Sequence, residues 1–135
     1  MARLWVFVYG TLKPGGVGYG QFCLNQVIAS QPAIAVGQLY HLPAGYPAMA
    51  PEEGWVRGVV LEFKDEQILA QLDAYEDYDP ERAPGDNLYY RQLIQIYTPD
   101  HYPLGIAWGY LMARPTILSL GGQLLPRGEW NNPAG

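Results

Sequence analysis

Cysteine is nearly absent: Cys23 is the only one in 135 residues. No intrachain disulfide can form, so the core must hold the fold. This fits a cytoplasmic address, although a cysteine-poor secreted chain shares the trait. Histidine is almost as scarce, and His41 and His101 lie far apart in sequence. A zinc site would want more His or Cys at ligand spacing, so no metal is expected. Basic residues number eight against thirteen acids, giving a formal net charge of −5. The few Lys and Arg are scattered, which argues against nucleic acid as a partner. No apolar run approaches the roughly 20 residues of a membrane helix. Arg3 leads straight into a strand-like run, without the cleavage-site pattern of a signal peptide.

Apolar residues make up 49% of the chain, as in ordinary globular proteins. The length suggests one domain over residues 1–135, large enough for a single real core. Tyrosine is abundant, with eleven copies. Its apolar body and polar tip suit strands and the lining of a polar pocket.

Residues 3–9 (RLWVFVY) are aromatic and β-branched with little alternation, which predicts a strand buried on both faces. Residues 13–20 (KPGGVGYG) are too rich in glycine for regular structure. A short helix is expected over 21–29 and a strand over 33–41, with Gly37 at a bulge or close approach. Residues 42–54 hold three prolines and two glycines and predict a loop. Strands are expected over 55–63, 88–97 and 104–112, a polar loop over 77–87, and a loop-like tail from 121. The pattern predicts an α+β fold: a small mixed β-barrel of five to seven strands with a few packed helices.

Residues 65–76 (DEQILAQLDAYE) lack Gly and Pro and predict a helix, with Asp65 as N-cap. At 100° per residue Ile68, Leu69, Leu72 and Tyr75 form one apolar stripe. Glu76 falls on that stripe, whereas Asp73 and Asp77 turn away from its centre. A carboxyl facing a core is costly unless paired or protonated. Its pKa should rise if desolvation dominates, which suits general acid–base work. The alternative is that the helix ends by Tyr75 and Glu76 fans into solvent. Periodicity leaves both open.

Other groups promise less. Cys23 sits in an apolar stretch as a small core residue, and Ser30 and Ser119 are expected at the surface. The Gly15–Gly18 run lacks the Gly-Lys-Ser/Thr ending of a phosphate loop. The end of the first strand holds more. Gly10 lets the chain turn without a Cβ in the way. The amides of Gly10, Thr11 and Leu12 then form an anion nest, or a tight turn satisfied by its own side chains and water.

Val8-Tyr9-Gly10-Thr11-Leu12-Lys13 resembles the signature of the γ-glutamylcyclotransferase-like superfamily. Its resemblance is strongest to the branch of γ-glutamylamine cyclotransferases and avirulence-induced-gene-2-like proteins. Gly37-Gln38-Leu39-Tyr40 with Gly45-Tyr46-Pro47, then Val56-Arg57-Gly58-Val59-Val60, continue the likeness. Leu72-Asp73-Ala74-Tyr75-Glu76-Asp77-Tyr78 resembles the motif that carries the family's catalytic glutamate. Tyr90-Arg91, Ala107-Trp108-Gly109-Tyr110 and Gly128-Glu129-Trp130 resemble its later segments. The first and the glutamate motif are specific in combination. Lys13 stands where the family often has Arg, and the polar residue many members place in the loop of residues 14–20 is missing.

The resemblance implies the same small mixed barrel and an intramolecular reaction. The α-amine of a γ-glutamyl group attacks its own γ-carbonyl, giving 5-oxoproline and releasing an amine or amino acid. Glu76 would be the general base and acid. Backbone amides from Tyr9 through Gly10, Thr11 and Leu12 would hold the α-carboxylate. Tyr46 and Tyr110 would line the pocket, and Tyr110 would donate to the substrate. No metal or organic cofactor is required. Two other readings remain: a non-catalytic module binding a small carboxylate on the same barrel, and lyase-type release of a γ-glutamyl protecting group. Oligomeric state is not legible in the sequence.

Overall fold

The computed structural model describes residues 4–131. Its strands are β1 (Leu4–Val8), β2 (Val27–His41), β3 (Pro47–Phe63), β4 (Tyr90–Tyr97), β5 (Pro103–Leu111) and β6 (Gln123–Leu124). Its α-helices are α1 (Ile68–Tyr75) and α2 (Arg114–Ser119). The strands lie in the order β3-β1-β5-β4-β2-β6, and β2 also pairs with β3. That extra pairing closes a ring of β3, β1, β5, β4 and β2, with β6 on β2 outside it. Closure leaves few exposed strand edges. The sheet is mixed: β1 runs parallel to β5 and antiparallel to β3. This is the expected α+β architecture.

The two faces of β1 feed two cores, as its unalternating sequence predicts. Leu4, Val6 and Val8 pack with Ile68 and Leu72 of α1. Phe7 and Tyr9 pack with Leu39, Met49, Val60 and Trp130 on the other side. β1 is therefore clamped from both sides, and its end at Val8 is a fixed point.

Three expectations need correction. The helix over 21–29 is only a π-helical turn at Tyr19–Cys23, because Asn25 adopts φ 75° and the chain then enters β2. The loop over 42–54 is really a short connection followed by β3, which starts at Pro47. Pro47 opens that strand, where proline is tolerated, and Pro51 falls where the β2–β3 register skips from Gln38↔Ala50 to Val36↔Trp55. Gly37 sits in that skip, and a Cβ there would lie 2.7 Å from Met49 Cε. The tail from 121 is not wholly loop, since Gln123–Leu124 pairs with β2. The sequence reading also missed α2, a six-residue helix with proline in its first turn.

Candidate active site

A cavity of about 390 Å³ opens where β1 ends. Tyr9, Gly10, Thr11, Leu12, Tyr46, Glu76 and Tyr110 all line it, so these seven residues lie around one cavity. Phe7, Val8, Leu88 and Tyr89 complete much of the wall.

Glu76 reaches this wall through the way α1 stops. The helix ends at Tyr75, as the solvent-facing alternative supposed. Yet the Glu76 N–H still donates to Leu72 O at 3.0 Å, so the residue keeps its helical direction. Asp77 then turns left-handed at φ 54°. Tyr78 N–H donates to Asp73 O at 2.8 Å and Asp77 N–H to Ala74 O at 3.2 Å. These are the paired bonds of a Schellman stop, with Asp where glycine is commoner. Glu76 is thereby aimed into the cavity, where it keeps partial exposure. Its carboxyl has no hydrogen bond or ion pair among the described residues. Burial pushes its pKa up to about 8, which keeps it mostly neutral at pH 7.

The turn after β1 forms the facing wall. Lys13 N–H donates to Gly10 O at 2.9 Å and closes a tight turn. The amides of Gly10, Thr11 and Leu12 donate to no protein acceptor among the described residues. Buried or half-buried donors of this kind are ready to take an anion. Gly10 has no positive φ; its smallness serves a close approach, for a Cβ would sit 2.8 Å from Pro47 Cγ. Thr11 Oγ1 lies 2.8 Å from Tyr75 Oη, tying the turn to the last residue of α1. Lys13 Nζ donates to Trp130 O at 2.7 Å, which anchors the turn to the C-terminal segment.

Tyrosines fill the rest. Tyr9 Oη donates to Tyr110 O at 2.6 Å and accepts from Met49 N–H at 3.3 Å. Tyr89 Oη donates to Pro47 O at 2.6 Å. Tyr110 Oη donates to Asp73 Oδ1 at 2.7 Å. Burial raises the pKa of all three, and the nearby Glu76 charge adds to it, so their hydroxyls stay protonated.

Asp73 has a role that the helical projection does not show. Off the centre of the stripe, it is nevertheless buried, bonded to Tyr110 of β5 and paired with Arg91 of β4. Arg91 Nε stands 3.0 Å from the same Oδ1, off the line of a straight hydrogen bond. The guanidinium also lies over the Trp108 ring, 4.4 Å from its centroid. One helix's periodicity cannot reveal partners brought by two later strands. Tyr75 and Tyr89 were missed as wall residues; the excess of tyrosine was the available signal.

Of the remaining polar side chains, His41 Nδ1 accepts from Trp130 Nε1 at 3.1 Å, and His101 packs edge-on against Trp55. Cys23 is fully buried, and burial pushes its thiol up to about 11. Ser30 and Ser119 are exposed. Among the described residues no helix is long and apolar enough to cross a membrane.

The chain is similar to known proteins. A family model described as gamma-glutamyl cyclotransferase, AIG2-like, matches residues 6–132. A Halalkalibacterium halodurans protein named "Putative gamma-glutamylcyclotransferase" is 36% identical over 96 residues, covering 70% of this chain and 78% of its own. The crystal structure of an AIG2-like protein from Mus musculus has the same fold, with a TM-score of 0.70 at 20% identity, over 97% of this chain and 90% of that one. YkqA from Bacillus subtilis matches with a TM-score of 0.65 at 24% identity over 96% of this chain, which spans 40% of its length. The family model and the bacterial relative give one answer: the chain belongs to the gamma-glutamyl cyclotransferase, AIG2-like family.

Proposed function

We propose that this protein is a γ-glutamyl cyclotransferase acting on a small γ-glutamyl compound, with Glu76 as its proton carrier and no metal or organic cofactor. The observation that carries the reading is an unpaired carboxyl, raised to about 8, in a cavity whose other wall holds free backbone amides. The two features suit the two charges of a glutamyl group. Its α-carboxylate goes to the amides of Gly10, Thr11 and Leu12. Its α-ammonium goes beside Glu76, where the opposite charge favours the carboxylate form.

The ammonium then has a matched acceptor. It loses a proton to Glu76, and the free amine attacks the γ-carbonyl carbon. A carbon–nitrogen bond forms and closes the five-membered ring. The old γ-amide bond breaks as Glu76 delivers a proton to the departing nitrogen. The ammonium starts with three hydrogens; the lactam keeps one, and Glu76 passes the other two in turn to the leaving amine. Both reacting groups sit on one molecule, so orientation supplies much of the rate. A proton carrier tuned near the working pH contributes about 10²–10⁴-fold more. We place the reaction in the cytoplasm, in keeping with the single cysteine.

The test is 5-oxoproline release from a panel of γ-glutamyl-amino acids, γ-glutamyl-ε-lysine, other γ-glutamylamines and glutathione. Release from at least one member supports the reading and names the leaving group. Binding of panel members without release from any of them overturns it in favour of a non-catalytic binding module.

A further inference from the structure

The tyrosines around Glu76 share a property that sets what the cavity offers. A phenol has one proton to give and lone pairs to accept with. Tyr9 gives its proton to Tyr110 O, Tyr89 gives its proton to Pro47 O, and Tyr110 gives its proton to Asp73 Oδ1. Their protons point into the protein, so these oxygens face a ligand as acceptors. Tyr9 already accepts from Met49 N–H. Tyr89 and Tyr110 accept from no group among the described residues, and of the two Tyr110 is the one whose proton goes to a buried acid. Tyr110 lines the cavity with Glu76. Its donor direction is fixed by a buried acid whose same oxygen is paired with Arg91, with Arg91 itself seated on Trp108.

We propose that Tyr110 Oη accepts a hydrogen bond from the α-ammonium of the glutamyl group, and that Asp73 and Arg91 are the positioning residues that keep it an acceptor. The expectation that Tyr110 donates to the substrate is replaced, since its only proton is committed to Asp73. The proposal rests on the cyclotransferase reading and refines it. Glu76 and Tyr110 together form an acceptor pair that selects a ligand with a free α-amine. An acceptor at Tyr110 also repels the γ-carbonyl oxygen, which turns that oxygen away and helps fix the angle of attack. The same Asp73 Oδ1 receives both Tyr110 and Arg91, so a neutral amide oxygen at that point preserves the orientation.

The test compares two ligands in the Glu76→Gln chain, so that binding is read without turnover. One is γ-glutamylethylamide; the other is its desamino counterpart, N-ethylglutaramic acid. Adding Tyr110→Phe should weaken γ-glutamylethylamide about tenfold and leave the desamino ligand unchanged, as expected for one hydrogen bond to a charged group. Asp73→Ala should show the same selective loss, and Asp73→Asn should restore most of it. Equal weakening of both ligands by Tyr110→Phe, or no weakening of either, overturns the proposal, and Tyr110→Phe decides the matter should Asp73→Ala fail to fold. If the Glu76→Gln chain binds neither ligand at millimolar concentration, the proposal falls, whereas the cyclotransferase reading stands or falls on 5-oxoproline release by the wild-type chain.

Discussion

Thr11 Oγ1 and Tyr75 Oη stand 2.8 Å apart, and this contact joins the turn after β1 to the residue just before Glu76. The free amides and the carboxyl belong to elements distant in sequence. Their spacing in the cavity depends on such ties. Thr11→Val and Tyr75→Phe should each lower kcat/KM about tenfold, and the double variant should be little worse than either single one. A double-mutant cycle checks this; contacting pairs show such coupling and independent sites do not.

Gly10→Ala tests the close approach to Pro47. The backbone there is ordinary, so the cost is steric: the new Cβ meets Pro47 Cγ at 2.8 Å and Pro47 Cδ at 3.0 Å. A loss of about 1–3 kcal/mol in urea unfolding is expected. Unchanged stability would mean that the turn and the start of β3 part easily.

Glu76 should cost the fold stability at high pH. Its folded pKa, about 8, lies above its ordinary value of 4.5. Between those values the folded chain holds a proton that the unfolded chain has lost. Stability from this group is therefore full below about 4.5 and is lost as pH rises through about 8. Glu76→Gln removes the titration. The variant should match wild type at pH 4 and exceed it at pH 9 by on the order of 5 kcal/mol. Thermal unfolding at the two pH values checks the sign.

Much of this was legible in the sequence, for definable reasons. β1 announced itself because both its faces are buried, which requires an unbroken apolar run. Glu76 stood out because it lies four residues after Leu72 and eight after Ile68, on the face that packs. Its final direction was not legible, since it depends on the left-handed Asp77 and the Tyr78–Asp73 bond that ends α1. The burial of Asp73 was not legible, because its partners come from β4 and β5, and local periodicity carries no information about them. The start of β3 was hidden by prolines that sit where the ladder needs no donor. The resemblance supplied the family and the chemistry of its glutamate motif only as expectations; the geometry adds the cavity that gathers the residues.

The pH dependence of turnover follows from the same carboxyl with the opposite consequence. The free enzyme must present a carboxylate to a substrate ammonium. The value of kcat/KM should climb about tenfold per pH unit below about 8 and level off above it. A profile that is flat from pH 6 to 9 would show that Glu76 does not titrate in the free enzyme as described.

The most direct measurement is the rate of 5-oxoproline release by wild type and by Glu76→Gln on the best substrate of the panel. The amide is nearly isosteric with the neutral acid but carries no proton back and forth. The account predicts an intact fold and a loss of about 10³-fold or more in kcat. A variant that keeps near-wild-type rates would contradict the central claim that Glu76 moves the proton.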